Sequence, residues 1–549
     1  MAKVYFKNIL KSKKNAFLLA DNRSKILLLF SLSGCGGGGA QQSSQDQNTV
    51  VVATNGLDFI SPQISYGLDN SGQSGNPYWL NALIMDQVEE NGYLNVVKWT
   101  NGFKFSFPQA VPSYLSVSER RGWQGVNEEV QSSAKDIFSD LNNLLNITFT
   151  EVSDPNANSV IAIMSNQQDK TTGYAYDPLD VVYPTDNYLF SDVFLSTDYL
   201  NPIKNDGKTN FDYEVMVHEI GHAIGLRHPF TSYAGDGTLL TPQEENNQWT
   251  VMSYDFNEAY FDGGYRMLDM ASLVDLYGIN PNFNSTSDKY TFQASSGYII
   301  LDGGGIDTIS AEGQVVHCYI DLRLQAHSYV GTKSSQITAP FQLSVGNAII
   351  ENAEGGNGKD WLIGNDQNNI LKGRGDDDVI YGGSGNDTIY GGLGNDTIDL
   401  TEEGSYQDVI VFEDNLKING VDKIISFNQG SFNGDVIKFS NYSSSDLSTS
   451  IFINPVENIN ISQKICRVSS ESINSTNGLI GELTQGNLKS LTINDESSAI
   501  IIGAKDQNLG SEQYIYELDR SDDTMTVTGI ALLTGSDLSI NNWTEYNII

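Results

Sequence analysis

At 549 residues the chain has room for roughly two to four domains. Its 31 basic against 68 acidic side chains leave a net charge of −37, which argues against nucleic acid as a partner, because phosphate backbones are bound by basic surfaces. Three cysteines (Cys35, Cys318, Cys466) are too few for a disulfide framework in a chain this long.

The first 35 residues read as an export signal. Lys11, Lys13, Lys14, Arg23 and Lys25 precede the apolar run Ile26–Leu32, which is followed by small residues. Leu32-Ser33-Gly34-Cys35 also resembles a bacterial lipobox, making Cys35 a candidate lipidation site and a route to membrane anchoring. Residues 36–54, rich in Gly, Gln and Ser as far as Gln47, are expected to be a flexible linker. No other segment reaches the length of a transmembrane helix.

Residues 55–283 carry mixed helix and strand patterns, in α+β order. Trp79–Glu90 is helix-compatible, and Phe103–Phe107 alternates like a strand. Val126, Val130, Ile137, Phe138, Leu141 and Leu144 fall at helical spacing. Short strands are expected at Ile147–Thr150 and Val160–Met164, then helices near Tyr213–Leu226 and Met267–Tyr277.

The most informative run is His218-Glu-Ile-Gly-His222-Ala-Ile-Gly225-Leu-Arg-His228, which holds three of the chain's five histidines. Positions i and i+4 share a helix face, so His218 and His222 can offer two imidazoles to one ion. Glu219 then projects beside that ion. Gly225 lets the backbone leave the helix abruptly and bring His228 round as a third ligand. Three imidazoles with an open fourth position describe one catalytic zinc. The extended pattern is a metzincin signature, which also requires a downstream methionine turn. Trp249-Thr-Val-Met252-Ser-Tyr254-Asp255 supplies it, with Met252 as an apolar floor under the metal. Glu219 is placed as general base, to take a proton from water and pass it to a leaving amine.

Together, H-E-I-G-H-A-I-G-L-R-H-P and V-M-S-Y resemble the serralysins, a branch of the metzincin zinc endopeptidases. Gly173-Tyr174-Ala175-Tyr176 is similar to that family's substrate-side edge strand, and Ser191–Ser196 is also similar to the family. The resemblance implies that Tyr254 ligates zinc in the resting enzyme, then swings away to hydrogen-bond the tetrahedral intermediate. Apart from Cys35, no cysteine lies shortly before the catalytic domain, so the cysteine switch of some other metzincins is not expected.

The second half turns rich in Gly and Asp, and a nine-residue repeat runs over residues 355–399: GGNGKDWLI, GNDQNNILK, GRGDDDVIY, GGSGNDTIY, GGLGNDTID. This is the calcium-binding nonapeptide of RTX proteins. Its glycine-rich half forms a turn that offers oxygens to a hard cation. Its other half is a short strand with one inward apolar residue: Leu362, Leu371, Ile380, Ile389, Ile398. Turns alternate sides, so several calcium ions should bridge positions eighteen apart, with Asp360, Asp378 and Asp396 on one side and Asn369 and Asp387 on the other. Gly364-Asn365, Arg374 and Asp376 depart from the consensus, which weakens the early turns as cation sites. Gly303–Ile309 looks like a detached first turn, again as in serralysins. Bound calcium would also account for much of the acidic excess.

Beyond Leu400, the runs Val409–Phe412, Lys423–Phe427 and Asp435–Phe439 are expected to be strands capping the roll, since open solenoid ends need caps. The terminal Glu545-Tyr-Asn-Ile-Ile549 loosely matches the acidic-then-apolar secretion signal of one-step exporters.

The expected architecture is an α+β metzincin catalytic domain (55–283), an all-β parallel β-roll (284–400) and a β-rich C-terminal region (401–549). The expected function is that of a monomeric zinc endopeptidase acting on proteins or peptides. It would work outside the cell, secreted or lipid-anchored at the bacterial surface, its roll held by calcium. The alternative is a calcium-binding surface or adhesion protein whose protease domain is inactive or serves one narrow processing step.

Overall fold

A computed structural model describes residues 77–84, 86–88, 94–96, 102–155, 160–169, 171–176, 191–197, 211–230, 239–260, 263–402, 404, 406–413, 419–429, 434–440, 459–460, 465–469, 491–492, 497–504, 512–521 and 524–534. The expected export signal, Cys35, the 36–54 linker and the terminal Glu545–Ile549 lie outside these residues.

In the first half, Glu128–Leu144 forms the expected amphipathic helix. The Asn127 side chain caps it by accepting from Val130 N at 2.9 Å. Val130, Ala134, Ile137, Phe138, Leu141 and Leu144 are buried along one stripe. Against it lies a six-stranded sheet ordered Phe149–Glu151, Phe103–Ser106, Val160–Asn166, Val193–Ser196, Gly173–Ala175, with Gln124–Gly125 also pairing Val160–Asn166. Phe105 stacks on Phe138 and Phe103 on Phe149, at centroid distances of 4.2 and 5.0 Å. The main strands run parallel, except that Gly173–Ala175 is antiparallel to its neighbour and is last in the sheet among the described residues. The helices Phe211–Ala223 and Met267–Tyr277 fall where the apolar spacing predicts them.

One element differs. The helix expected over Trp79–Glu90 covers only Tyr78–Leu83, and Asp86–Val88 pairs antiparallel with Leu94–Val96. Two long-range bonds end the helix: Ile84 bridges Leu226, and Leu83 O accepts from Arg227 N at 2.7 Å. The Asn91-Gly92 step between the two short strands is itself a hairpin signal.

In the second half, successive nonapeptides are dealt alternately to two parallel sheets. Trp361–Ile363, Val379–Tyr381 and Thr397–Asp399 stack in one sheet, and Ile370–Gly375 and Thr388–Leu393 in the other. Leu362, Leu371, Ile380, Ile389 and Ile398 point between the sheets and are wholly buried. Each such side chain stabilises the winding by about 1.5–3 kcal/mol. Thr308–Ser310, from the detached first turn, joins the second sheet in parallel with Asn352–Glu354.

The strands expected after Leu400 form, and Val436–Phe439 is last in its sheet among the described residues. Val409–Phe412, Asp422–Ile425 and Val436–Phe439 are three further parallel rungs of the same two sheets. Each is preceded or opened by an aspartate (Asp408, Asp422, Asp435) in the ladder position, so the winding continues although the repeat length has changed. The long strands Gln513–Ser521 and Thr524–Thr534 then extend one sheet.

The two halves share apolar packing. The core of the first half takes in Ile299, Leu301 and Ile337 from the second. Beside them Glu244, fully buried, accepts from Tyr78 Oη at 2.7 Å and from Thr338 Oγ1 at 3.0 Å.

Candidate metal centre

Every residue of the helix from Tyr213 to Ala223 is buried. The His218 and His222 rings are oriented from behind. Nδ1 of His218 donates to Val251 O at 2.7 Å, and Nδ1 of His222 donates to Leu226 O at 2.8 Å. A carbonyl only accepts, so the proton sits on Nδ1 and each Nε2 presents its lone pair. Burial pushes the His222 imidazole down to about 4, keeping it neutral at physiological pH. Gly225, at φ +109°, turns the chain out of the helix as the motif requires.

His228 then closes the set. Its Nε2 lies 3.2 Å from that of His218 and 3.1 Å from that of His222. One proton on His228 could satisfy only one of these contacts, leaving two lone pairs face to face. A cation between them removes the repulsion. Nitrogens on a tetrahedral zinc at about 2.0–2.1 Å stand about 3.3 Å apart, so the residues present fit the metal.

Glu219 is 7% exposed and stands against the edge strand. A Cβ on Gly173 would meet its Cγ at 2.9 Å and its Oε1 at 3.0 Å, so only glycine leaves the carboxylate this room. Met252 is fully buried beside the helix, its Sδ 2.9 Å from where a Cβ of Gly221 would stand. Its turn hangs on Asp269 of the Met267–Tyr277 helix, which accepts from Thr250 Oγ1 at 2.5 Å and Val251 N at 2.8 Å. Asp269 also accepts from Arg266 N at 2.9 Å. Burial pushes the Asp269 carboxyl up to about 6 against these hydrogen bonds. Arg266 in turn makes a buried ion pair at 2.8 Å with Glu214 on the histidine helix. The half-buried Tyr254 ring lies 5.7 Å from His218, 4.8 Å from His228 and 4.9 Å from Phe230.

The structure therefore brings His218, Glu219, His222, His228, Met252 and Tyr254 into one place. Sequence reasoning missed the supports: Asp269, Arg266, Glu214 and Phe230 carry no motif of their own. Gly173 sits in the segment similar to the serralysin edge strand, but the room it leaves serves Glu219, a neighbour far along the chain.

The aspartates of the second half form two lines. Asp360 N donates to Asp378 Oδ1 at 2.7 Å, Asp378 N to Asp396 Oδ1 at 2.9 Å, and Asp396 N to Asp422 Oδ1 at 2.9 Å. On the other side Asn369 N donates to Asp387, Asp387 N to Asp408, and Asp408 N to Asp435. The second oxygens of Asp378, Asp387 and Asp396 are buried without a hydrogen-bond partner. A Cβ on Gly373 or Gly391 would collide with those of Asp378 and Asp396, so the glycine turns wrap closely around them. Orphaned buried oxygens among backbone carbonyls suit a hard cation. Asp288, Asp302 and Asp307 also converge, with one oxygen each within 4.8 Å of the others.

Comparison with known proteins agrees with this geometry. Residues 116–250 match the matrixin family of peptidases, and residues between 346 and 398 match the RTX calcium-binding nonapeptide repeat. The chain is 30% identical to serralysin of Proteus mirabilis over 301 residues, which is 49% of this chain and 60% of that protein. It is 31% identical to serralysin C of Dickeya chrysanthemi, covering 55% and 65%. To metallopeptidase AprA of Pseudomonas marginalis it is 28% identical, covering 46% and 57%. The chain thus spans about three fifths of the length of these relatives. A matrixin domain implies a catalytic zinc, and RTX repeats imply bound calcium. The chain is thus similar to the serralysins, with a matrixin match in its first half and RTX repeats in its second.

Proposed function

We propose that this protein is a zinc endopeptidase that hydrolyses peptide bonds in proteins or peptides outside the cell, with a calcium-bound roll behind its catalytic domain. The observation that carries this reading is the convergence of three Nε2 atoms, two of them with protons fixed on Nδ1, beside one buried carboxylate. Zinc held by His218, His222 and His228 would supply Lewis-acid polarisation of a carbonyl and a water acidic enough to attack near neutral pH.

The chain's own groups do the rest. Glu219 accepts the proton of the attacking water and delivers it to the departing amine nitrogen. The Tyr254 hydroxyl donates to the oxygen on which negative charge develops, and in the resting state it is a further candidate zinc ligand. Met252 keeps the floor apolar. Gly173–Ala175, last in its sheet among the described residues, offers a backbone edge to an extended peptide. Asp360, Asp378, Asp387 and Asp396 would hold calcium, and Asp408, Asp422 and Asp435 extend the same two lines. Because ion binding is coupled to folding, such a roll would form where calcium is plentiful, as it is outside cells. No helix among the described residues is long and apolar enough to cross a membrane.

Casein hydrolysis by wild type and Glu219→Ala, each with and without a zinc chelator, tests the proposal. Activity confined to untreated wild type is expected. Equal rates in all four samples would sink the enzyme reading.

A further inference from the structure

The helix does not dictate where the third histidine points. His218 and His222 are aimed by their helix and by carbonyls behind them, and His228 lies beyond the helix, after the Gly225 turn. What comes next is rigid. Pro229 fixes its own φ, and its carbonyl accepts from Leu240 N at 3.2 Å, so Phe230 is delivered to a defined place. There its ring lies 5.0 Å from His228 with the planes only 20° apart. The same ring stands 4.9 Å from Tyr254, and Tyr254 stands 4.8 Å from His228. The three rings touch pairwise.

We propose that Phe230 is a positioning residue of the metal centre: it fixes the plane of His228, hence the direction of the Nε2 lone pair, and limits where the Tyr254 ring can move. The inference rests on the reading that the three imidazoles hold zinc. Rotation about χ2 of a histidine is soft, and a nearly parallel aromatic neighbour removes that freedom. Groups behind a ligand typically change metal affinity by about 10–100-fold when removed. Phe230 touches ligand and tyrosine at once, so its loss should alter both metal retention and coordination geometry.

The test uses the full calcium-loaded chain with Phe230→Ala, Phe230→Leu and Phe230→Tyr. Zinc release to a colorimetric chelator is timed, and the visible absorption of the cobalt-substituted protein is recorded. Far-UV circular dichroism checks folding. Phe230→Ala should release zinc about 10–100-fold faster and shift the cobalt bands. Phe230→Leu should also release faster, because it fills volume without a flat face. Phe230→Tyr should stay close to wild type. If alanine prevents folding, leucine against tyrosine still decides. Wild-type release rates and unchanged cobalt bands in folded Phe230→Leu would overturn the positioning role. A wild-type chain that holds no zinc would overturn the zinc reading itself, and the positioning role with it.

Discussion

Replacing Gly173 by alanine should damage catalysis while leaving the fold standing. The added methyl carbon would stand 2.9 Å from Cγ of Glu219, 3.0 Å from Oε1 and 3.2 Å from Cδ. Carbon contacts settle at about 3.5–4.0 Å, so the carboxylate must retreat by roughly 0.5–1 Å. Misplacement of a reacting group by about 1 Å costs up to about 10²-fold, so kcat should fall by about 10–100-fold, or about 1.4–2.8 kcal/mol of barrier. Stability should barely move. Gly173 lies outside the left-handed region of φ, so alanine gains about 0.4–1 kcal/mol by restricting the unfolded chain, which offsets the crowding. Steady-state kinetics on a quenched-fluorescence peptide, with zinc content and melting temperature recorded alongside, checks this. A folded, zinc-loaded Gly173→Ala protein with wild-type kcat would refute the argument that glycine makes room for the base.

Three further outcomes are expected. Burial pushes the carboxyls of Asp378, Asp387 and Asp396 up to about 9, 8 and 7 in the metal-free protein, against about 3.9 when unfolded. Their contribution is therefore complete below about pH 4 and lost as pH rises through 7 to 9. The metal-free roll should melt at lower temperature at pH 9 than at pH 5, saturating calcium should abolish that trend, and a flat metal-free profile would contradict it. Arg266→Ala should cost about 3–5 kcal/mol in denaturant unfolding, because it strands the buried Glu214 carboxylate. The double change Glu214→Leu with Arg266→Met should recover much of that loss. Ile380→Ala, at a wholly buried rung, should cost about 2–5 kcal/mol, seen as a lower melting temperature and a higher calcium midpoint.

Chemistry that needs fixed spacing was legible in the sequence. The i, i+4 pair of histidines, the glycine exit and the methionine turn are local patterns, and the chain must realise them wherever the helix forms. The inward leucines and isoleucines of the nonapeptides were equally readable, because each repeat buries one side chain at one phase. What escaped depends on contacts made from far away. Ile84 leaves its helix because Leu226 captures it, and Glu214 is buried as an ion because Arg266 arrives 52 residues later. The segments after Asp408, Asp422 and Asp435 are legible as strands but not as rungs of the roll, because their spacing lengthens beyond nine. The signal was still present, as an aspartate two residues ahead of each buried isoleucine (Ile410, Ile424, Ile437).

Ile299, Leu301 and Ile337 lie in the same apolar core as the histidine helix, and Glu244 is sealed beneath Thr338. A fragment cut near residue 283 would lose these side chains and open that core and a buried carboxylate to water. Autonomy of the catalytic half is therefore not to be expected. Melting should proceed as a joint transition, and depletion of an ion bound far down the solenoid should be felt at the three histidines.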